Sequence, residues 1–168
     1  MSDNEVSQTA TVIALNANQA SRASERKWGR AVMKLGFSIV PSLIFRAQQR
    51  LGLNASQLAI LLQIADFWWD HNRKPYPSLK TLGERLDLSP RQVSRYIDGL
   101  EEARLVKKIE RHAKHKGRMS NQYDLSGLVA RLAKLEPEFR EVEEMKRKVS
   151  RKGGLTKKTA GQTPTTAA

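Results

Sequence analysis

The sequence predicts a mainly α-helical fold with one small β-hairpin. Three observations carry this. Apolar residues recur at helical spacing through most of the middle of the chain, Asn54, Ser78 and Ser89 stand where helix caps belong, and one basic stretch around residue 110 alternates instead. At 168 residues the length suits one domain with tails. The hydrophobic fraction of 39% falls below the globular average of roughly 45–50%, so part of the chain is expected not to pack.

The ends are that part. Residues 1–24 are rich in Ser, Thr, Asn, Gln and Ala, and residues 150–168 in Gly, Lys, Thr and Pro. Neither stretch buries enough apolar surface to offset chain entropy, so both are predicted to be disordered. The expected domain is 25–124, followed by a helical extension at 125–149 and the basic tail at 150–168.

From Ser24 to Leu35, Trp28, Ala31, Val32 and Leu35 form an apolar stripe with Arg26, Lys27, Arg30 and Lys34 between them. This reads as a short amphipathic helix with a basic face, weakened by Gly29 and stopped at Gly36. Phe37 to Val40 is β-prone. Pro41 is placed to open a helix through Arg50, ended by Gly52.

Asn54 and Gln57 have the spacing of a capping box. The following run, Leu58 to Asp70, is apolar on nearly all sides and is expected to be the central buried helix, with Trp68 and Trp69 as core residues. A loop from His71 to Pro77 leads to Ser78, which caps a helix to Leu86. Gly83 inside that helix marks a close approach of another element. Asp87-Leu88 forms a tight turn. Ser89, Pro90 and Gln92 are cap, first helical residue and capping-box partner of a helix to about Ala103 that buries Val93, Ile97 and Leu100.

Leu105 to Glu110 and Ser120 to Leu125 are the hairpin strands, joined by a basic turn from Arg111 to Met119. Two short helices with a tight turn, then a basic hairpin, are the elements of a winged helix-turn-helix with a C-terminal helical extension. An α-helix fits the major groove of DNA, where Arg pairs with guanine and Gln with adenine. The exposed face of the helix opened by Ser89 offers Arg91, Gln92, Ser94 and Arg95. The hairpin offers Lys107, Lys108, Arg111, Lys114, Lys116 and Arg118, and with Ser78 and Lys80 these are the expected backbone contacts.

Charge agrees with this placement. The formal net charge is +13, and residues 105–124 carry six basic side chains against two acidic. A sequence pI near 10.3 is typical of nucleic-acid binders.

At these residues the chain resembles a known group. Tyr76 to Leu86 followed by Leu88 to Ile97 looks like the winged helix-turn-helix proteins of bacterial, phage and plasmid genomes, and Gly117 to Leu125 is similar to their second wing strand. The likeness spans roughly 37–128. It implies double-stranded DNA as partner, base contacts at Ser89, Arg91, Gln92, Ser94 and Arg95, and a wing at Arg111 to Arg118. The group holds both transcription regulators and replication initiation proteins of mobile elements, so transcription or replication machinery is an implied partner. A regulator is the first expectation here. A replication initiator, or a non-specific architectural or RNA-binding protein, is the alternative.

From Leu125 onward, Leu128, Leu132, Leu135, Phe139 and Val142 step by 3 and 4, close to a heptad seam. The seam fits a homodimer contact or packing on the chain's own domain. Ser126 is the expected cap, and Pro137 a kink or the start of a second helix.

Other classes are not expected. There is no Cys, and hence no thiol nucleophile or Cys-ligated metal. His112 and His115 sit among Lys114 and Lys116, which oppose a bound cation, so no metal is expected. No phosphate loop or nucleophile arrangement points to an enzyme, and no cofactor is implied. No apolar run approaches the ~18 residues of a membrane span, and the polar N-terminus is not a secretory signal. A cytoplasmic protein is expected.

Overall fold

The computed structural model describes residues 23–113 and 117–153, with the backbone alone at 112–113 and 117–118. Lys114, Lys116, His115 and most of the two expected tails lie outside the described residues. The chain forms two units, Met1–Ile39 and Val40–Ala168.

In the first unit the expected helix is in two pieces. Residues 23–28 are helical, and α1 spans Arg30–Lys34. Gly29 separates them at φ +87°, a left-handed value at which an L side chain is strained. Gly36, at φ +114°, ends α1 as expected. No residue of α1 is buried, and Phe37 to Val40 forms no strand. A β-prone run without a neighbouring strand has nothing to pair with.

The second unit opens with α2, Ser42–Arg46, shorter than the helix to Arg50 that Pro41 suggested. The chain leaves the helix in turns that place Ala47, Leu51 and Leu53 together in the core. α3, Ala55–Asp66, is closed at its start by the expected capping box: Gln57 N–H donates to Asn54 Oδ1 at 2.8 Å and Asn54 N–H to Gln57 Oε1 at 3.1 Å. Ile60, Leu61 and Ile64 are fully buried, so α3 is the central helix. It ends four residues before Asp70, and this divides the tryptophan pair. Trp68 packs on the core, whereas Trp69 is 69% exposed and is not the core residue that was expected.

α4, Leu79–Leu86, and α5, Pro90–Glu102, follow with a left-handed Asp87 between them. A Cβ on Gly83 would lie 2.3 Å from the Leu88 carbonyl oxygen and 3.7 Å from Val93 Cγ2. The close approach read from the sequence is therefore made by the turn and the start of α5. Val93, Ile97 and Leu100 are fully buried against α3 and α4.

The hairpin has two ladders. β1, Lys107–Ile109, pairs antiparallel with β4, Gln122–Asp124, and farther out β2, His112–Ala113, pairs with β3, Gly117–Arg118. Tyr123 also donates its N–H to the Pro75 carbonyl at 2.9 Å, which ties the ribbon's foot to the loop before α4.

α6 runs unbroken over Ser126–Arg151 through Pro137. Leu125, not Ser126, is its cap residue, and the Asp124 carboxylate takes the Ser126 N–H at 2.9 Å. The helix starts close against the turn after α5: Leu128 N–H donates to Leu105 O at 2.9 Å, and a Cβ on Gly127 would sit 2.2 Å from Arg104 O. Leu128 and Leu135 are buried in the domain's own core, with Leu132 and Phe139 packed on it. Of the expected seam, only Val142 is half exposed. Arg46 to Glu143 at 2.6 Å and Arg50 to Glu138 at 2.9 Å hold α6 to α2 and the turn after it.

Candidate nucleic-acid interface

The outer face of α5 is built by its own sequence. Val93, Ile97 and Leu100 fix the inner face, which turns Arg91 and Arg95, one helical turn apart, to solvent. Neither arginine has an ion-pair partner among the described residues. Ser94 lies half-buried beside them.

Ser89 and Gln92 have a second task. Gln92 Oε1 accepts from Ser89 N–H at 2.9 Å and from Ser89 Oγ–H at 2.8 Å, while Ser89 Oγ accepts from Gln92 N–H at 3.3 Å. The Gln92 carbonyl is thus engaged in the cap, and its amide NH2 is what remains to donate. A bidentate contact to adenine needs both groups.

The expected backbone contacts divide in the same way. Lys107 is exposed on the outer side of β1. Lys108 stands opposite buried Tyr123, so strand alternation turns it inward. There its ammonium pairs with Asp98, and with Glu101 at 3.3 Å, while its own N–H donates to Glu101 Oε1 at 3.0 Å. The Asp98 hydrogen bond, assisted by Glu101 and opposed by partial burial, holds this lysine above its ordinary pKa. Its charge is used within the fold. Residue alternation from Tyr123, with Asp98 and Glu101 three apart on α5, was the signal available for this.

Arg111 spans the ribbon's foot, with Nε donating to Ser120 O at 3.0 Å and its guanidinium 4.9 Å over the Tyr76 ring. Ser78 caps α4 through Thr81 N–H at 2.9 Å. Among the described residues Lys80 makes only a long contact, to Glu84 at 3.8 Å, and its side chain is 81% exposed. Arg118 is placed by its backbone alone, opposite His112.

At the ribbon's foot Lys74 Nζ meets Asp124 Oδ2 at 2.8 Å. The Lys74 hydrogen bond, followed by those from Ser126, lowers the Asp124 carboxyl to about 2. The loop carrying Trp69, Arg73 and Lys74 was not among the sequence candidates. Its signal was aromatic and basic residues just before Pro75 and Pro77, two prolines that the structure buries. Among the described residues no three His, Asp or Glu gather as metal ligands, and no helix is long and apolar enough to cross a membrane.

Residues 51–106 match the family described as a helix-turn-helix domain. No curated relative matches the chain. Among solved structures, the N-terminal domain of DnaD protein from Geobacillus kaustophilus HTA426 is similar at 19% identity, covering 74% of this chain and 94% of that one, with a TM-score of 0.45. The transcriptional regulator PA3341 is similar at 20% identity, covering 77% and 79%, with a TM-score of 0.36. Reduced AbfR bound to DNA is similar at 16% identity, covering 88% and 98%, with a TM-score of 0.37. The capped helix pair with its turn at Asp87 is a helix-turn-helix, and the two-ladder ribbon follows it in the chain.

Proposed function

We propose that this chain binds double-stranded DNA sequence-specifically as a transcription regulator, with α5 in the major groove and the ribbon on the backbone or in the minor groove. The observation that carries the reading is the N-terminal half of α5. It is a capped helix whose outward face presents Arg91 and Arg95, free of ion pairs among the described residues. Arg91 and Arg95 read bases, with Ser94 and the Gln92 amide beside them. Lys80 and Lys107 hold phosphates, and Lys114, Lys116 and Arg118 are assigned the same role from the sequence alone. The helix-turn-helix match over residues 51–106 supports the same assignment. We place the protein in the cytoplasm.

Selection from a random duplex library at about physiological salt, with excess competitor DNA, tests this. A recovered motif is the expected result, and its symmetry and half-site spacing report the oligomeric state. Binding that leaves no motif and vanishes as salt rises would overturn specific recognition and leave counterion release as the whole of the affinity.

A further inference from the structure

Where α3 ends, residues 67–77 wall a groove of about 590 Å³ against the start of α4 and Ser120 at the foot of the ribbon. That volume falls in the ~300–1,000 Å³ range of small-ligand sites. Its lining is unusual for a fold-supporting surface. Trp69 is 69% exposed and Tyr76 43% exposed, so neither ring is spent on the core. Two guanidinium groups lie over Tyr76, Arg73 at 5.6 Å and Arg111 at 4.9 Å, and Arg73 also donates to the Tyr76 hydroxyl at 3.3 Å. The Lys74 charge is bound to Asp124 at 2.8 Å, which leaves Arg73 as the cation facing the groove among the described residues. Asp70 also lines the groove, one carboxylate oxygen taking the Asn72 N–H at 2.9 Å and the other without a donor among the described residues.

An exposed flat ring beside a fixed guanidinium suits a ligand with a π-face and an anionic group. A nucleotide has both. In duplex DNA each base face is covered by its neighbours, so Trp69 has nothing to stack on there. In a single strand the faces are open. We propose that this groove binds an unpaired nucleotide of a single nucleic-acid strand, with the Trp69 ring stacking on the base, Arg73 facing the phosphate and Asp70 accepting from the base edge. This goes beyond duplex recognition by α5 and uses none of its residues.

The test must separate stacking from bulk charge, because a chain of net charge +13 attracts any nucleic acid. Trp69→Ala changes no charge. Binding of the full chain to a labelled oligothymidylate of about twelve nucleotides is followed by fluorescence anisotropy, beside a mixed-sequence duplex. Loss of one stacked base predicts a weakening of about 5- to 150-fold on the single strand, with duplex affinity unchanged within about twofold. Trp69→Phe retains a ring and restores most of the affinity. Trp28→Ala, which removes an exposed ring from the first unit, leaves both affinities unchanged. Circular dichroism checks that each variant is folded. Single-strand affinity unchanged in Trp69→Ala, equal losses on both ligands, or no rescue by Trp69→Phe would each overturn the proposal. So would thymidine monophosphate binding as tightly as the oligomer. Arg91→Ala separates the two readings: it weakens duplex binding alone, and its failure to do so counts against α5 and not against the groove.

Discussion

Replacing Gly83 by alanine sets two physical effects against each other. Helix propensity alone favours the substitution, since alanine is better than glycine in a helix interior by about 1 kcal/mol. The geometry opposes it. The new Cβ would lie 2.3 Å from the Leu88 carbonyl oxygen, and Cβ contacts below 3.0 Å are essentially never seen, so that carbonyl must retreat by at least 0.7 Å. It is poorly placed to do so: Leu88 N–H is bonded to Gly83 O at 2.9 Å, Asp87 is left-handed, and Ser89 is fixed in its capping box. Overpacking of this kind costs about 1–3 kcal/mol; against a carbonyl held on three sides the upper part of that range, about 2–3 kcal/mol, applies, which leaves a net loss of about 1–2 kcal/mol after the propensity gain. Urea unfolding followed by circular dichroism should show a lower midpoint with an unchanged slope. A variant as stable as the parent, or more so, would refute the claim that the turn between α4 and α5 is held by this contact.

Arg91→Ala should weaken binding to a selected site by about 1–3 kcal/mol and relax preference at one position, as read by anisotropy on single-base variants of that site. Gln92→Ala should instead lower stability by about 1 kcal/mol in urea unfolding, because the side chain closes the α5 cap. Lys107→Ala should reduce the slope of log affinity against log salt by about 0.9, whereas Lys108→Ala should leave that slope unchanged, its charge being held by Asp98 and Glu101. The Asp124 carboxyl, at about 2 in the folded chain, lies below its ordinary value of 3.8, so the stability it contributes is complete above pH 4 and is lost as pH falls toward 2. That contribution is about 1 kcal/mol once screening at the 44% exposed Lys74 is allowed for. Asp124→Asn should flatten the acid limb of the stability profile between those pH values.

What was legible in the sequence was mostly local chemistry. Asn54, Ser78 and Ser89 cap helices through side chains whose partners lie three residues away, so four-residue patterns suffice to place them. The α4–turn–α5 unit follows from those caps together with the Val93, Ile97 and Leu100 spacing. What depended on distant partners was less legible. Lys108 reads as one more wing lysine until Tyr123 is seen opposite it and Asp98 behind it. Trp68 and Trp69 are indistinguishable as letters, and they separate because α3 stops at Asp66 and turns one ring inward and the other out. Phe37 to Val40 has strand propensity, but propensity cannot supply the second strand.

The stripe along α6 is the sharpest case, because its spacing was read correctly and its partner was open. Steps of 3 and 4 state that one face must be covered, and they are silent about what covers it. Two features of the structure assign that cover to the chain's own domain. Leu128 and Leu135 are 3% and 6% exposed within the domain's one buried cluster, and α6 packs on α2. The flanking charges also meet partners at home, Glu138 on Arg50 and Glu143 on Arg46, instead of waiting for a second helix. Leu135→Ala should therefore cost about 2–5 kcal/mol of unfolding free energy, the range for a truncated buried leucine. Met145, 65% exposed past the Glu143 contact, should tolerate Met145→Lys within about 0.5 kcal/mol. Sedimentation and urea unfolding on both variants decide the matter. A Leu135→Ala chain with full stability but a smaller sedimenting mass would mean that α6 leaves the domain and covers its stripe with another copy.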